Sequence, residues 1–276
     1  MKKLILLEAI DTSMFLLPEL PGRVQWLKIP GIRGRMIDGS DPFVSLAGAA
    51  RLRRTNVDAT LEQIHTRFAA QNKAYGWIVS PLSRPSDLGK RLERLGQENV
   101  IELAGMVHTR LDSPVPTNPA VTVRQATADD WEVAIPLLAE AIGFTPEGAR
   151  ATVESLALSP APIRRRAYLA YLKGIPEPVA YASMIYLPDQ PIVVLYCAAT
   201  LEAYRGRGVY SSLVARRLAD AYRDGARAAV IQAVSSSSAP ICQKLGFVKL
   251  CHMDWYIWVP ESLMMWECSD FGDRND

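Results

Sequence analysis

Residues 191 to 200, PIVVLYCAAT, are apolar almost without interruption. No alternation separates an inward face from an outward one, so the segment reads as a strand covered on both sides. It leads through LEAYRGRG into VYSSLVARRLADAYRDG, where Val209, Leu213, Val214, Leu218, Ala221 and Tyr222 recur at helical spacing before Gly225. A second apolar strand, AAVIQAV, follows. A buried strand, a turn, a long amphipathic helix and another buried strand form a crossover unit. That unit restricts the chain to a mixed α/β architecture.

The turn at the head of the helix is Arg205-Gly206-Arg207-Gly208. The first amides of a helix lack intrahelical partners and lie at the positive end of its dipole, so they form an anion site. Glycine lets the backbone approach a phosphate and take conformations that other residues avoid. The chain has neither G-x-x-x-x-G-K-[ST] nor G-x-G-x-x-G, which speaks against common nucleotide and dinucleotide sites. What remains is a cradle of diphosphate size, and the competing reading is an ordinary surface turn.

Around this unit, AVTVRQAT reads as a strand and ADDWEVAIPLLAEAIG as a helix with carboxylates in its first turn. TPEGARATVESLAL is a second helix, with Thr145 as cap and Pro146 at its first position. RRRAYLAYLKG and EPVAYASMIYL are strands joined by a turn with Gly174 and Pro176. SSSSAPICQKLG is a short helix with a serine-rich, capping start, and FVKLCHMDWYIWV is the final strand. Pro114, Pro116 and Pro119 mark a linker near residues 112 to 120. The expected units are therefore residues 1–115 and 120–276.

The first unit ends as the second does. GWIVSPLSRPSDLGKRLERLGQENVIELAGMV has the strand, Ser/Pro turn, helix to Leu-Gly and strand of the closing section of the second. Two copies of one fold is the working hypothesis. The first copy shows no counterpart of the strand, turn and long helix. IPGIRGRMID contains Arg33-Gly34-Arg35 without a helical pattern after it, so the first copy is expected to have lost the site.

The 276 residues are 49% hydrophobic and 22% charged, as in globular proteins, and the net charge of +2 is too small to argue for nucleic acid or an anionic membrane. MKKLILLEAIDTSMF imitates an export signal, but Glu8 and Asp11 interrupt its apolar core. No run reaches the length of a spanning helix, roughly 20 residues. Cys197, Cys242, Cys251 and Cys268 form no C-x-x-C, and His65, His108 and His252 are scattered. No metal site is legible, and reduced thiols in a cytoplasmic protein are expected.

AATLEAYRGRGVYSSLV resembles the pyrophosphate-binding segment of the GNAT superfamily of acyl-CoA-dependent N-acetyltransferases, written [RQ]-x-x-G-x-[GA], with Arg205, Gly208 and Tyr210 in register. QAVSSSSAPICQKLGF is similar to the family's later segment, a helix ending K-L-G-F. The resemblance covers residues 120 to 260. It implies tandem GNAT-like domains, the first degenerate, each with a central, mostly antiparallel twisted sheet flanked by helices. It implies acetyl-CoA as co-substrate, without a metal, and a small-molecule or peptide amine as acceptor. Ala198, Ala199 and Thr200 then meet the pantetheine arm. The backbone of Arg205, Gly206, Arg207, Gly208, Val209, Tyr210 and Ser211 holds the diphosphate, and Ser235 faces the pantetheine. An amide near Ala199 is the expected oxyanion donor. No side chain stands out as the base. A monomer or homodimer is expected.

One departure concerns catalysis. The family's closing helix often carries a tyrosine that protonates the leaving thiolate, and Cys242 stands in its place. A thiol can donate a proton, but it reaches several ångströms less far. Cys242 is thus a candidate acid against the reading that it packs a core. Its presence motivates the alternative of a non-catalytic acyl-CoA-binding or regulatory protein. Tyr168, Tyr171, Tyr181, Tyr186 and Tyr196 read as core or cleft wall. Arg164-Arg165-Arg166 reads as a solvated edge, and His252 with Asp254 as neighbours on one strand face.

Overall fold

The computed structural model describes residues 1–158 and 163–263; Cys268 lies outside the described residues. The first half contains α1 (Lys3–Thr12), β1 (Val24–Trp26), β2 (Arg33–Ile37), β3 (Leu46–Gly48), α2 (Val57–Ala69), β4 (Tyr75–Val79), α3 (Leu88–Arg94) and β5 (Glu98–His108). The second contains β6 (Val121–Gln125), α4 (Trp131–Ile142), α5 (Pro146–Leu158), β7 (Arg165–Leu172), β8 (Ala180–Tyr186) and β9 (Ile192–Thr200). It continues with α6 (Val209–Arg223), β10 (Ala228–Val234), α7 (Ser238–Lys244) and β11 (Val248–Trp258).

Local chemistry accounts for the helix starts. Thr145 Oγ1 accepts the Gly148 amide at 3.0 Å, which caps α5 behind Pro146. Before α4, Thr127 and Asp130 form a reciprocal capping box. The Arg124 guanidinium, 2.6 Å away, holds the Asp130 carboxyl well below the usual carboxylate range. At α7 the expected serine cap is absent: Ser237 makes no side-chain cap bond, and Ser238 Oγ instead accepts the Val234 amide at 2.9 Å.

All strands join one 11-stranded sheet in the order β1-β2-β3-β4-β11-β5-β10-β9-β8-β7-β6. The pairs β3–β4 and β9–β10 are parallel, and the other neighbouring pairs are antiparallel. The closing strands change places. β11 pairs with β4 through Trp255 and Ile78, whereas β5 pairs with β10 through Val107 and Val230. Each half thus contributes its last strand to the other's part of the sheet.

β9 lacks alternation because both its faces are covered. Val193 and Leu195 pack with Val209, Leu213, Val214 and Leu218 of α6. Val194 and Tyr196 pack on the opposite side with Leu6, Ala9 and Ile10 of α1 and Ala151 of α5. α1 of the first half and α5 of the second together supply the other layer over the central strand.

One expectation about the first half is overturned. It does contain a strand, connection and helix: β3 runs parallel to β4, with α2 between them. Residues 49–56 and 201–208 form connections of equal length in the two halves. Arg33-Gly34-Arg35 is part of strand β2 and is unrelated to that connection. The β3 signal was hidden because the strand is only three residues long, Leu-Ala-Gly.

Candidate functional site

β9 and β10 pair in register only at Ile192 with Ala228, Val193 with Ala229, and Val194 with Val230. Both strands continue, to Thr200 and Val234, but no later pair joins them among the described residues. They diverge into a wedge. The Leu201 amide donates to the Val179 carbonyl at 3.0 Å, which fixes the antiparallel alternation between β9 and β8. Ala199 therefore turns its own amide to β8, while Ala198 and Thr200 turn backbone groups into the wedge. Among the amides near Ala199, those that face the wedge are thus Ala198 and Thr200. Deeper in, a bulge at Cys197 breaks the register between Ala182–Ala198 and Ser183–Tyr196, with Cys197 at φ 38°.

The RGRG turn lies at the mouth of the wedge. Gly206 and Gly208 both have φ 71°, the left-handed region where side chains are strained. Gly208 is the N-cap of α6, and no side chain caps it. Among the described residues, the amides from Gly206 to Ser211 donate to no backbone or side-chain acceptor. The Arg205 Nε donates to Thr200 O at 3.3 Å and its Nη2 to Ala141 O at 3.2 Å, which ties the turn to the end of β9 and to α4. Arg207 is exposed and stacks over Tyr204, 5.6 Å from the ring centre.

Asn118 braces the same turn and was missed in the sequence. Its Nδ2 donates to Arg207 O at 2.8 Å, and its amide donates to Ser212 Oγ at 3.2 Å. It sits in the proline-rich linker, where TNPA resembles any turn. Only the return of that linker to α6 reveals its role.

Polar side chains without partners converge on the wedge. Among the described residues, Thr200 Oγ1 at the end of β9 and Ser235 Oγ just after β10 are buried and make no hydrogen bond. Each such atom is costly unless a polar ligand meets it. Below them, Cys242 is fully buried, and its Sγ lies 3.3 Å from the Tyr210 hydroxyl. Burial pushes the Cys242 thiol up, offset in part by the Tyr210 hydroxyl and the Arg217 cation. Arg217 is itself fully buried. It donates to Ser183 O at 3.2 Å and Leu213 O at 3.3 Å, and leaves Nη2 unbonded.

The fold has counterparts among solved structures. A GCN5-related N-acetyltransferase from Kribbella flavida superposes with a TM-score of 0.68 at 20% identity, over 95% of this chain and 97% of that one. The fold is that of the GCN5-related N-acetyltransferases. A tandem GNAT protein from the clavulanic acid biosynthesis pathway aligns with a TM-score of 0.61 at 14% identity, over 90% of this chain and 87% of that one. A GCN5-related N-acetyltransferase from Sphaerobacter thermophilus gives 0.56 at 15% identity, over 93% and 91%. No family model matches the sequence, and no curated protein matches it. The expected tandem GNAT architecture is thus present across nearly the whole chain.

Within that fold the first half has a wedge of its own, closed by its own backbone. β3 and β4 pair up to Gly48 and Ile78. Beyond them the Arg84 amide donates to Ala50 O at 2.9 Å, and the Leu52 amide donates to Arg84 O at 3.2 Å. Residues 80–85 thus fill the interval that stays open between β9 and β10. Asp11 fixes the closure: it accepts a bond from Ser80 Oγ and pairs with Arg51 at 2.7 Å. Arg54 and Asn56 stand where the second half has Gly206 and Gly208, and Asn56 has φ −126°.

The remaining sequence expectations are settled by position. Tyr168, Tyr181 and Tyr196 are buried, while Tyr171 and Tyr186 are half-buried. Arg164 and Arg166 are not a free edge: both pair with Asp224, at 2.8 and 3.0 Å. Arg165 Nε bonds Leu156 O. His252 Nε2 lies 3.0 Å from Asp254 Oδ1 on β11, which the strand exchange carries away from β9. Among the described residues, no group of three His, Cys, Asp or Glu side chains could hold a metal, and no helix is long and apolar enough to cross a membrane.

Proposed function

We propose that this protein is an acyl-CoA-dependent N-acetyltransferase that moves the acetyl group of acetyl-CoA to a primary amine of a small molecule or peptide, in the cytoplasm. One observation carries the reading. Among the described residues, the divergent β9–β10 wedge is lined by the unbonded Thr200 and Ser235 hydroxyls and ends at a helix head whose amides from Gly206 to Ser211 have no partner. A ligand with amides along its length and a diphosphate at one end matches those donors and acceptors in order. Residues 120–276 form the binding unit, and residues 1–115 form a degenerate copy that walls the acceptor side.

Bound acetyl-CoA supplies an acetyl thioester open to attack by a neutral amine. Ala198, Ala199 and Thr200 hold the pantetheine, with backbone groups of Ala198 and Thr200 facing it and Ser235 opposite. The amides of Gly206, Arg207, Gly208, Val209, Tyr210 and Ser211 hold the diphosphate, and Arg205 keeps that turn in place. A cleft-facing amide of Ala198 or Thr200 stabilises negative charge on the thioester oxygen. Holding both reactants in the wedge supplies the main acceleration through proximity. The first half contributes Arg35, whose Nη2 donates to the Tyr196 hydroxyl at 3.4 Å behind the bulge.

A second reading, a non-catalytic acyl-CoA-binding regulator, is favoured by the full burial of the Cys242 thiol. Thiol release separates the two. The protein with acetyl-CoA is offered spermidine, tyramine and a lysine-containing peptide. Release of free CoA dependent on one of these amines supports the enzyme. Calorimetric binding of acetyl-CoA without amine-dependent release supports the regulator, and no binding overturns both.

A further inference from the structure

Resting on the acetyl-CoA reading above, we propose that the first half acts as a splint for the second. Residues 10–14 and Arg35 hold β9 and β10 apart at the root of the wedge, and pantetheine binding depends on that bridge. The strand register fixes its two ends. Val194 and Val230 form the last pair between β9 and β10. Tyr196 and Gln232 each stand two positions further on, so they share the face of that pair, the one that α1 covers. They would be the next neighbours on that face if pairing continued. Each is tied to the first half instead.

On the β10 side, Gln232 Nε2 donates to Ile10 O at 2.7 Å and to Ser13 Oγ at 3.0 Å. Ser13 Oγ in turn donates to Ile10 O at 2.8 Å. Turning the Gln232 amide over would set its oxygen against the Ile10 carbonyl, so the acceptor fixes the orientation. On the β9 side, Arg35 Nη1 donates to Met14 O, and Nη2 donates to the Tyr196 hydroxyl at 3.4 Å. A polar path therefore runs from β10 through residues 10–14 and Arg35 to β9. Ser13, Arg35 and Tyr196 are buried and Gln232 is half-buried, so groups freed by breaking the path would find little water.

The wedge needs such a bridge. Backbone groups of Ala198 and Thr200 face it, and unpaired backbone groups favour further pairing of the two strands. β8 holds the far edge of β9 up to Thr200, and β5 holds the far edge of β10 up to Val234. Those pairings align each strand with its outer neighbour, whereas the bridge spans the gap between them. Asp11 anchors it, bonding Ser80 Oγ and pairing with Arg51 at 2.7 Å where the first wedge is closed. One short segment thus closes one wedge and spaces the other.

The test uses the full-length protein, first without ligand. Gln232→Leu and Arg35→Met each cut one arm of the bridge with a side chain of similar size. β9 and β10 then close on each other, and the amides of Ala198 and Thr200 gain partners. Their hydrogen exchange, followed by NMR, is expected to slow about tenfold, as when nine-tenths of the molecules are closed. A bridge that only stabilised the fold would leave these amides unchanged or faster on its removal. CoA must reopen the closed wedge, so its calorimetric Kd is expected to rise about tenfold in the same variants. Should either variant not fold, Tyr196→Phe removes only the oxygen that Arg35 holds and keeps the test decisive. Slower exchange together with weaker CoA binding supports the splint. Unchanged or faster exchange in a folded variant overturns it, and so does an unchanged Kd. Failure of the wild type to bind CoA overturns the cofactor reading, while the exchange comparison still judges the splint.

Discussion

Gly208→Val tests the anion cradle most directly. Gly208 sits at φ 71° and ψ 14°, and a Cβ there would meet the Asn118 Cβ at 3.1 Å and Ser211 Oγ at 3.6 Å. The left-handed conformation costs an ordinary residue about 1–2 kcal/mol, and a β-branched one is the least tolerant. The contact with Asn118 adds to that, because this residue is held by two hydrogen bonds and cannot retreat freely. The turn relieves the strain by rotating out of the left-handed region, which swings the amides of residues 206–209 off a common centre. Losing two of their hydrogen bonds to a charged ligand costs about 3 kcal/mol, roughly a hundredfold in Kd, so a tenfold loss is a conservative floor. Gly206 has the same φ but open space around its Cβ position, so Gly206→Ala pays only the conformational term and should weaken binding less. Titration calorimetry with acetyl-CoA, with circular dichroism to verify folding, gives both values. An unchanged Kd in folded Gly208→Val, or a larger loss in Gly206→Ala, refutes the reasoning.

Calorimetry of the wild type should give one CoA site per chain, because Arg84 closes the first wedge; two equivalent sites would contradict that account. Cys242→Ala should cost about 1–2 kcal/mol of stability as a cavity in a packed core, read by denaturant melts, and should leave turnover almost unchanged. A loss of turnover of about a hundredfold or more with acetyl-CoA affinity preserved shows that the thiol is the acid. Burial pushes Asp41 up to about 6, against bonds from the Phe43, Val44 and Thr145 amides. The folded state therefore holds this proton more tightly than the unfolded chain, whose carboxyl titrates near 3.8. Its contribution to stability is present below about pH 4 and is lost as pH rises to 6, by at most about 3 kcal/mol. The melting temperature of wild type relative to Asp41→Asn should fall across that window; a flat difference refutes the assignment.

Much of the second half is legible in the sequence because its elements are long and their signals local. The β9 run, the helical spacing of α6 and the caps of α4 and α5 each arise within fifteen residues of chain. The wedge is less legible. Strand divergence is a property of two strands and the layers over them, and the bulge at Cys197 has no sequence marker such as glycine. The approach of the Tyr210 hydroxyl to the Cys242 sulfur, 3.3 Å across to α7, is likewise not contained in spacing along one helix.

The first half shows why a short strand and an altered connection are hard to read. The strand before the connection is only Leu46–Gly48, and Arg54 and Asn56 stand where the second half has glycines. Those changes erase the strand–turn–helix pattern while leaving its topology intact. The unpaired strand edges still need partners, since buried amides and carbonyls without them are costly. In β9 they face a wedge that the proposed ligand completes; in β3 the Arg84 backbone completes it. The two halves satisfy one requirement of the fold in two ways. Opening the first wedge therefore means supplying replacements for both Arg84 backbone bonds, so restoring the glycines with Arg54→Gly and Asn56→Gly alone should create no second CoA site. Calorimetric stoichiometry of that double variant decides the point. A value of one supports closure by the backbone, and a value of two shows that the missing glycines alone kept the first half from binding.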